Sequence, residues 1–215
     1  MPTKYDQREY RKIDIRNMEA RKEEGGEMIV EGYATTFNMP YTLYEDERGI
    51  FDEQVDRNAF AETNLDDVIM QYDHEGRVFA RTRNNTLQIE ADDHGLKIRA
   101  YLGGTEIGRQ LYEEIAGGYT DRMSFGFTVA EDDNARMKAE DGRVKILRTI
   151  RKIGKLFDVS AVSLPANDAT EISARMTGDG LIAEAVEEIR AEEERQRRIG
   201  EIRKLLKQEG NADDE

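Results

Sequence analysis

The residues of this chain that could do chemistry are few, and they centre on one serine. In the stretch DRMSFGF, residues 121–127, bulky side chains alternate with Ser124 and Gly126. Successive side chains of a strand point to opposite faces, so the bulky residues share a face that we expect to be buried. Ser124 then lies on the other face, where we expect its hydroxyl to be uncovered. The missing side chain at Gly126 would let a substrate strand lie close to that face.

A base is needed before a serine can act as a nucleophile, because its hydroxyl is protonated at neutral pH. The chain has two histidines, whose side chains titrate in the useful range. His74 follows QYD near the end of a predicted strand, with a turn expected at Glu75-Gly76, and could reach a cleft from there. His94 lies in a predicted hairpin turn and is expected to point to solvent. Spacing alone does not pair Ser124 with His74, since strand serines and single histidines are more often structural.

Other kinds of site have little support in the sequence. The chain has no cysteine, which excludes disulfides, thiol catalysis and thiolate metal sites. A metal set of Asp73, His74, Glu75 and a distant carboxylate ranks low, because zinc sites prefer several His or Cys ligands. There is no glycine-rich phosphate-binding motif, and Arg122 stands two residues before Ser124 where a GxSxG elbow needs glycine. We therefore predict no cofactor and no metal.

Composition narrows the classes of partner. The 215 residues carry a formal net charge of −14 with a pI near 4.8, so the chain would repel phosphates and is not expected to bind nucleic acid. No apolar run is long enough to span a membrane, and no membrane partner is expected. The first residues lack the apolar region of a signal peptide, so we expect synthesis in a cytoplasm.

Sequence patterns divide the chain into three segments. Residues 1–26 read as a polar arm, with a short first strand near Ile13 and Ile15 left open as an alternative. Residues 27–176 read as a β-rich domain. Its predicted elements are strands in 28–38, 67–74, 121–129, 144–150 and 155–167, a hairpin over 86–102, a short helix over 52–63, a helix over 103–118 capped by Thr105, and an exposed loop over 130–143.

Residues 177–215 read as a charged helical arm with a disordered tail, EGNADDE. Two apolar stripes lie on this helix, separated by AEEERQRR, so it has only an interrupted coiled-coil seam. Both a solvated charged helix and a helix for a partner remain open. The stripes consist of Ile182, Ala185, Val186 and Ile189, then Ile199, Ile202, Leu205 and Leu206.

The order of five segments over residues 28–172 resembles the prohead (procapsid maturation) serine proteases of tailed bacteriophages. The segments are EGYATTFN, QYDHEGR, TLQIEADDHGL, GRQLYEEIAGGYTDRMSFGF and LFDVSAVSLPANDAT. The resemblance implies an α+β, β-rich fold related to the herpesvirus assembly proteases. That fold would be a closed antiparallel β-barrel ringed by a few helices, here with a C-terminal helical arm.

The same resemblance implies a role for each matching residue. Ser124 matches the family's nucleophile and His74 its general base. Asp158 stands where the family usually has a glutamate, the third member that orients the histidine. The alternative for Asp158 is a strand-edge charge or an ion pair. A second departure is DRNAF, where relatives more often have a proline-glycine turn, and it would affect a loop.

The implied function is that of a serine endopeptidase acting in capsid maturation. Its substrates would be the scaffolding protein or the scaffolding segment of the major capsid protein, and the protease itself. It would self-associate and work in the host cytoplasm, inside the prohead. One rival is a catalytically inactive internal scaffold or virion protein on the same fold. A second is another serine hydrolase such as an esterase, which the missing elbow and the lack of α/β alternation disfavour.

Overall fold

The described part of the chain contains eleven strands and two α-helices. The structure is a computed structural model that describes residues 7–13, 18–23, 26–162 and 168–210. The strands are β1 Arg8–Ile13, β2 Glu19–Lys22, β3 Met28–Thr36, β4 Tyr41–Glu45, β5 Gly49–Val55, β6 Ile69–Tyr72, β7 Glu75–Arg81, β8 Leu87–Ala91, β9 Gly95–Tyr101, β10 Arg122–Lys138 and β11 Val144–Val162. The helices are α1 Glu106–Ala116 and α2 Asp168–Gly210.

The strands pair into two sheets, and the prediction of a β-rich α+β fold is confirmed. A seven-stranded sheet has the order β1-β10-β11-β5-β4, with β6 paired to β11 and β7 paired to β6. A four-stranded sheet has the order β2-β3-β9-β8. Among the described residues, an isolated bridge from Phe37 to Val55 links the end of β3 to β5 of the larger sheet. Closure into one barrel, and the relation to the herpesvirus proteases, stay predictions.

One hydrophobic core draws on both sheets. Met123, Phe125 and Phe127 are fully buried, as their alternation with Ser124 predicted. They belong to the same cluster as Val30 of β3 and Ile98 of β9. Ser124 and Gly126, which alternate with these residues along β10, therefore face away from this core.

Two predictions that rest on local patterns, a hairpin and a helix, are confirmed. The hairpin over 86–102 is β8 and β9, which pair in register. The helix over 103–118 is α1, and the Thr105 hydroxyl accepts a hydrogen bond from the Gly108 amide at 3.1 Å. Its apolar stripe is buried at Leu111 and Ile115. Local capping and alternation suffice to specify both elements.

Three local predictions were wrong, and strand pairing explains each. The helix predicted over 52–63 is the end of β5 followed by turns, because β5 pairs in parallel with β11. The loop predicted over 130–143 is largely strand, because β10 continues to Lys138 against β11. The strands predicted at 144–150 and 155–167 are one strand, β11, and residues 163–167 of the second prediction lie outside the described residues.

The two terminal segments both contact the domain. Within residues 1–26, β1 pairs with β10 and β2 pairs with β3. The alternative prediction of a short first strand is therefore the correct one for residues 8–13. Within α2, Ile182 and Ala185 are buried against Phe51 and its neighbours. The tail from 211 to 215 lies outside the described residues, and the division into three segments stays a prediction. None of the described helices is long and apolar enough to cross a membrane.

Candidate active site

The structure brings together the three residues that the sequence singled out. The imidazole of His74 has Nε2 2.5 Å from the Ser124 hydroxyl and Nδ1 2.5 Å from an oxygen of Asp158. The topology explains this convergence, because β11 carries Asp158 and has β10 on one side and β6 on the other. Ser124 is on β10, and His74 follows the end of β6.

An unusual turn positions the histidine. Tyr72 pairs with Glu75, so Asp73 and His74 are the two central residues of a tight hairpin between β6 and β7. Both have positive φ angles, 47° and 62°, as a type I′ turn requires. The turn therefore lies two residues earlier than the sequence predicted, at Asp73-His74. A non-glycine residue with positive φ is uncommon, and such conformations concentrate at functional sites.

The carboxylate of Asp158 is buried and has several donors. Ser160 Oγ donates a hydrogen bond to it at 2.8 Å, and the Arg8 guanidinium pairs with its other oxygen. Burial would raise the pKa of Asp158, but His74, Ser160 and Arg8 outweigh it and hold this pKa below its ordinary value. An ionised carboxylate at Nδ1 favours the tautomer with the proton on Nδ1, which leaves Nε2 as the acceptor facing Ser124.

Gly126 makes room for this carboxylate. It pairs with Asp158 across the β10–β11 ladder, and a Cβ on it would overlap the carboxylate. The same Cβ would also come within 2.9 Å of the Tyr10 ring. The space beside Ser124 is thus occupied by groups of the protein itself, and the expectation of an open approach for a substrate strand was wrong in this arrangement.

The expectation of an uncovered hydroxyl was also wrong. Ser124 is 0% exposed, because β1 pairs with the edge of β10 beside it and the His74 ring contacts its hydroxyl. The single hydroxyl proton has two acceptors within reach, Nε2 of His74 and the carbonyl oxygen of Arg11 at 2.9 Å. The Tyr10 ring packs edge-on against the His74 ring, with centroids 4.4 Å apart. In this arrangement β1 therefore occupies the edge of β10 beside Ser124.

A buried charge cluster, which was not predicted from the sequence, holds β1 in place. Glu53 is fully buried and accepts hydrogen bonds from Arg11 and Arg148. Glu9 accepts two hydrogen bonds from Arg148, at 2.8 and 2.9 Å. Burial would raise the pKa of Glu9, but Arg148 and Arg11 outweigh it and lower this pKa to about 2. Reading REYRKI as a strand would have placed Glu9 and Arg11 on one face, which is the signal that was available.

The second histidine is not part of the site. His94 is exposed in the turn between β8 and β9, where its ring packs edge-on against Tyr33 with centroids 4.6 Å apart. This agrees with its prediction as a turn residue. Among the side chains that the structure describes, no group of three or more His, Asp or Glu residues is arranged to hold a metal ion.

One family model matches most of the chain. A family model described as caudovirus prohead serine protease matches residues 13–181, a range that includes Ser124, His74 and Asp158. Among solved structures, the chain is similar to the capsid assembly protease of bacteriophage T4, with a TM-score of 0.41 and 12% sequence identity over 74% of this chain and 97% of that chain. No curated protein sequence matches the chain.

Proposed function

The chain belongs to the caudovirus prohead serine protease family, and from this premise we propose that it is a serine endopeptidase with Ser124, His74 and Asp158 as its catalytic triad. The observation that carries the proposal is the continuous contact from Asp158 through His74 to Ser124, with 2.5 Å at each link. A histidine between a buried carboxylate and a serine hydroxyl is the arrangement that activates a serine nucleophile.

In the proposed reaction, Ser124 Oγ attacks the scissile carbonyl carbon while Nε2 of His74 takes its proton. His74 then gives that proton to the leaving amine, and an acyl ester remains on Ser124. In the second half of the reaction, His74 takes a proton from water, which attacks the ester. His74 then returns the proton to Ser124 Oγ as the acid product leaves. Asp158 keeps Nδ1 protonated and stabilises the imidazolium that forms. The lowered pKa of Asp158 keeps its carboxylate ionised for this role.

Access to the site requires a movement of the N-terminal strand. In the closed arrangement β1 occupies the edge of β10 that a peptide would need for pairing. Once β1 leaves, that edge presents unpaired backbone groups beside Ser124, and an extended peptide can add to it as a strand. The proposed enzyme thus alternates between a closed form and an open form that binds substrate.

We propose as substrates the scaffolding protein, or the scaffolding segment of the major capsid protein, and the chain itself. The site of action is the interior of the prohead in the host cell. The exposed part of α2, which includes Ile189 at 48% and Ile202 at 55% exposure, would contact a helical scaffold and bring the protease inside. Confinement there would raise the effective concentration of enzyme and substrate. We also propose that the sheets close into one barrel and that the chain self-associates. The proposed segment boundaries lie at residues 26 and 176.

Co-expression with the capsid or scaffolding protein of the same phage tests this function. We expect shortened capsid or scaffold fragments with the wild-type chain, seen by intact mass, and none with Ser124→Ala. Unchanged masses with both chains would favour the inactive internal scaffold instead. Turnover of a small ester with no cleavage of any peptide would favour the esterase.

A further inference from the structure

We propose that Glu53 recognises an arginine side chain in the substrate, at the position that supplies the scissile carbonyl. This inference rests on the proposed protease function and names the substrate class of the same site. It starts from β1, which lies along the strand that carries Ser124. The Arg11 carbonyl oxygen is 2.9 Å from Ser124 Oγ, so the peptide bond after Arg11 is the part of β1 nearest the nucleophile.

The side chain of Arg11 enters a pocket that is built for a guanidinium. Arg11 is only 4% exposed, and its guanidinium donates two hydrogen bonds to the two oxygens of Glu53, at 2.5 and 3.0 Å. Tyr41 donates a third hydrogen bond to Glu53 at 2.7 Å, and the Phe127 ring lies 5.8 Å from the guanidinium carbon. Paired bonds from a planar fork to a carboxylate are specific to arginine, because lysine presents a single point charge.

The hydrogen bonds that Glu53 loses give a second reason. When β1 leaves, Glu53 loses both hydrogen bonds from Arg11 and keeps those from Tyr41 and Arg148. A substrate that covers the pocket again would bury this carboxylate, which is costly unless the substrate supplies a cation in place of Arg11. A peptide that pairs with β10 as β1 does would place its own side chain there, and an arginine would restore both hydrogen bonds.

A second residue of β1 contacts the same charge cluster. Glu9 is two residues before Arg11, on the same face of β1, and Arg148 binds it through two hydrogen bonds. A substrate with an acidic residue two positions before the arginine would replace this contact too. The preferred substrate strand therefore has the pattern Glu-x-Arg before the cleaved bond, as β1 has in Glu9-Tyr10-Arg11.

The test compares two fluorescent quenched peptides that copy residues 5–16 and carry either arginine or citrulline at position 11. Citrulline has the shape of arginine without its charge. With the full chain we expect cleavage after position 11, located by mass, and a kcat/KM roughly tenfold to a hundredfold higher for the arginine peptide. Glu53→Gln should bring this ratio close to one.

Two further variants keep the test decisive if Glu53→Gln does not fold. Tyr41→Phe removes one hydrogen bond to Glu53 and keeps its charge, so it should lower the ratio only in part. Glu62→Gln, on an exposed carboxylate outside the pocket, should leave the ratio unchanged. Ser124-dependent cleavage with equal rates for both peptides would overturn the arginine inference and leave the protease function standing. Absence of Ser124-dependent cleavage of either peptide would also overturn the arginine inference, and the co-expression test would then decide the protease function separately.

Discussion

Gly126 and Asp158 are direct partners across the β10–β11 ladder, and the bare Cα of the glycine is what leaves space for the carboxylate beside His74. We expect Gly126→Ala to displace Asp158 or β1 and to destabilise the fold by about 1–3 kcal/mol, the usual cost of overpacking. Peptidase activity should fall with it, because Asp158 can no longer hold His74. Thermal denaturation and peptide cleavage measure the two effects.

Gly154→Ala is the matched control, since Gly154 is a strand glycine whose nearest neighbour would be the Thr128 hydroxyl at 3.2 Å. A hydroxyl on a rotatable side chain can move by a few tenths of an ångström, so this variant should keep its activity. Equal losses in both variants would contradict the role assigned to Gly126.

Replacing Asp158 with asparagine tests the third member of the triad. Asparagine keeps the size of the side chain but has no charge to stabilise an imidazolium, and its amide favours the wrong tautomer of His74. We expect kcat to fall by a factor on the order of 10² to 10⁴, with KM little changed. Asp133→Asn, on an exposed carboxylate paired with Arg151, is the control and should keep full activity. If Asp158→Asn keeps the wild-type kcat, Asp158 has no catalytic role and forms only a structural ion pair, which is the alternative that the sequence left open.

The low pKa of Glu9 makes the stability of the closed form depend on pH. Because this pKa is lowered from 4.5 to about 2, the contribution of Glu9 is complete above pH 4.5 and disappears as the pH falls through 2. Its size is about 3 kcal/mol of unfolding free energy. Urea denaturation of wild type and Glu9→Gln should differ by this amount at pH 6 and converge towards pH 2. A difference that does not change with pH would contradict the buried contact with Arg148.

The sequence predicted the parts of this molecule that local rules specify. The alternation in MSFGF predicted the buried face of β10. Thr105 at one end, with Gly117 and Gly118 at the other, predicted the bounds of α1. Family resemblance, rather than spacing, singled out Ser124 together with His74 and Asp158. The first two predictions are confirmed because each depends only on neighbours in the chain. The catalytic roles of the three site residues stay a prediction.

The predictions that failed depend on contacts between distant segments. Ser124 is covered by Arg11, 113 positions earlier, in a polar segment that has no hydrophobic pattern to mark it as a strand. Glu53 was placed on a predicted helix, but β5 is a strand because it pairs with β11, and tertiary pairing overrides local propensity. A buried glutamate is also unexpected from sequence, since its burial depends on Arg11 and Arg148 being present.

The packing of α2 determines which truncation of the helical arm leaves the domain intact. Ile182 and Ala185 are buried against the larger sheet, so deletion from residue 177 would expose Phe51 and destabilise the domain. Truncation after Arg190 keeps these contacts. We expect this shorter chain to cleave peptides at the wild-type rate but to be absent from purified proheads, as measured by immunoblot. Normal packaging of the truncated chain would refute the proposed role of the arm.

The most direct test of the triad is the reactivity of Ser124 itself. A fluorophosphonate probe should add once to the full chain, and tandem mass spectrometry should locate the adduct on Ser124. His74→Ala should slow this labelling at least about a hundredfold, because the base is lost. His94→Ala, the matched control, should label at the wild-type rate. Labelling at another residue, or equal rates in His74→Ala and wild type, would contradict the account.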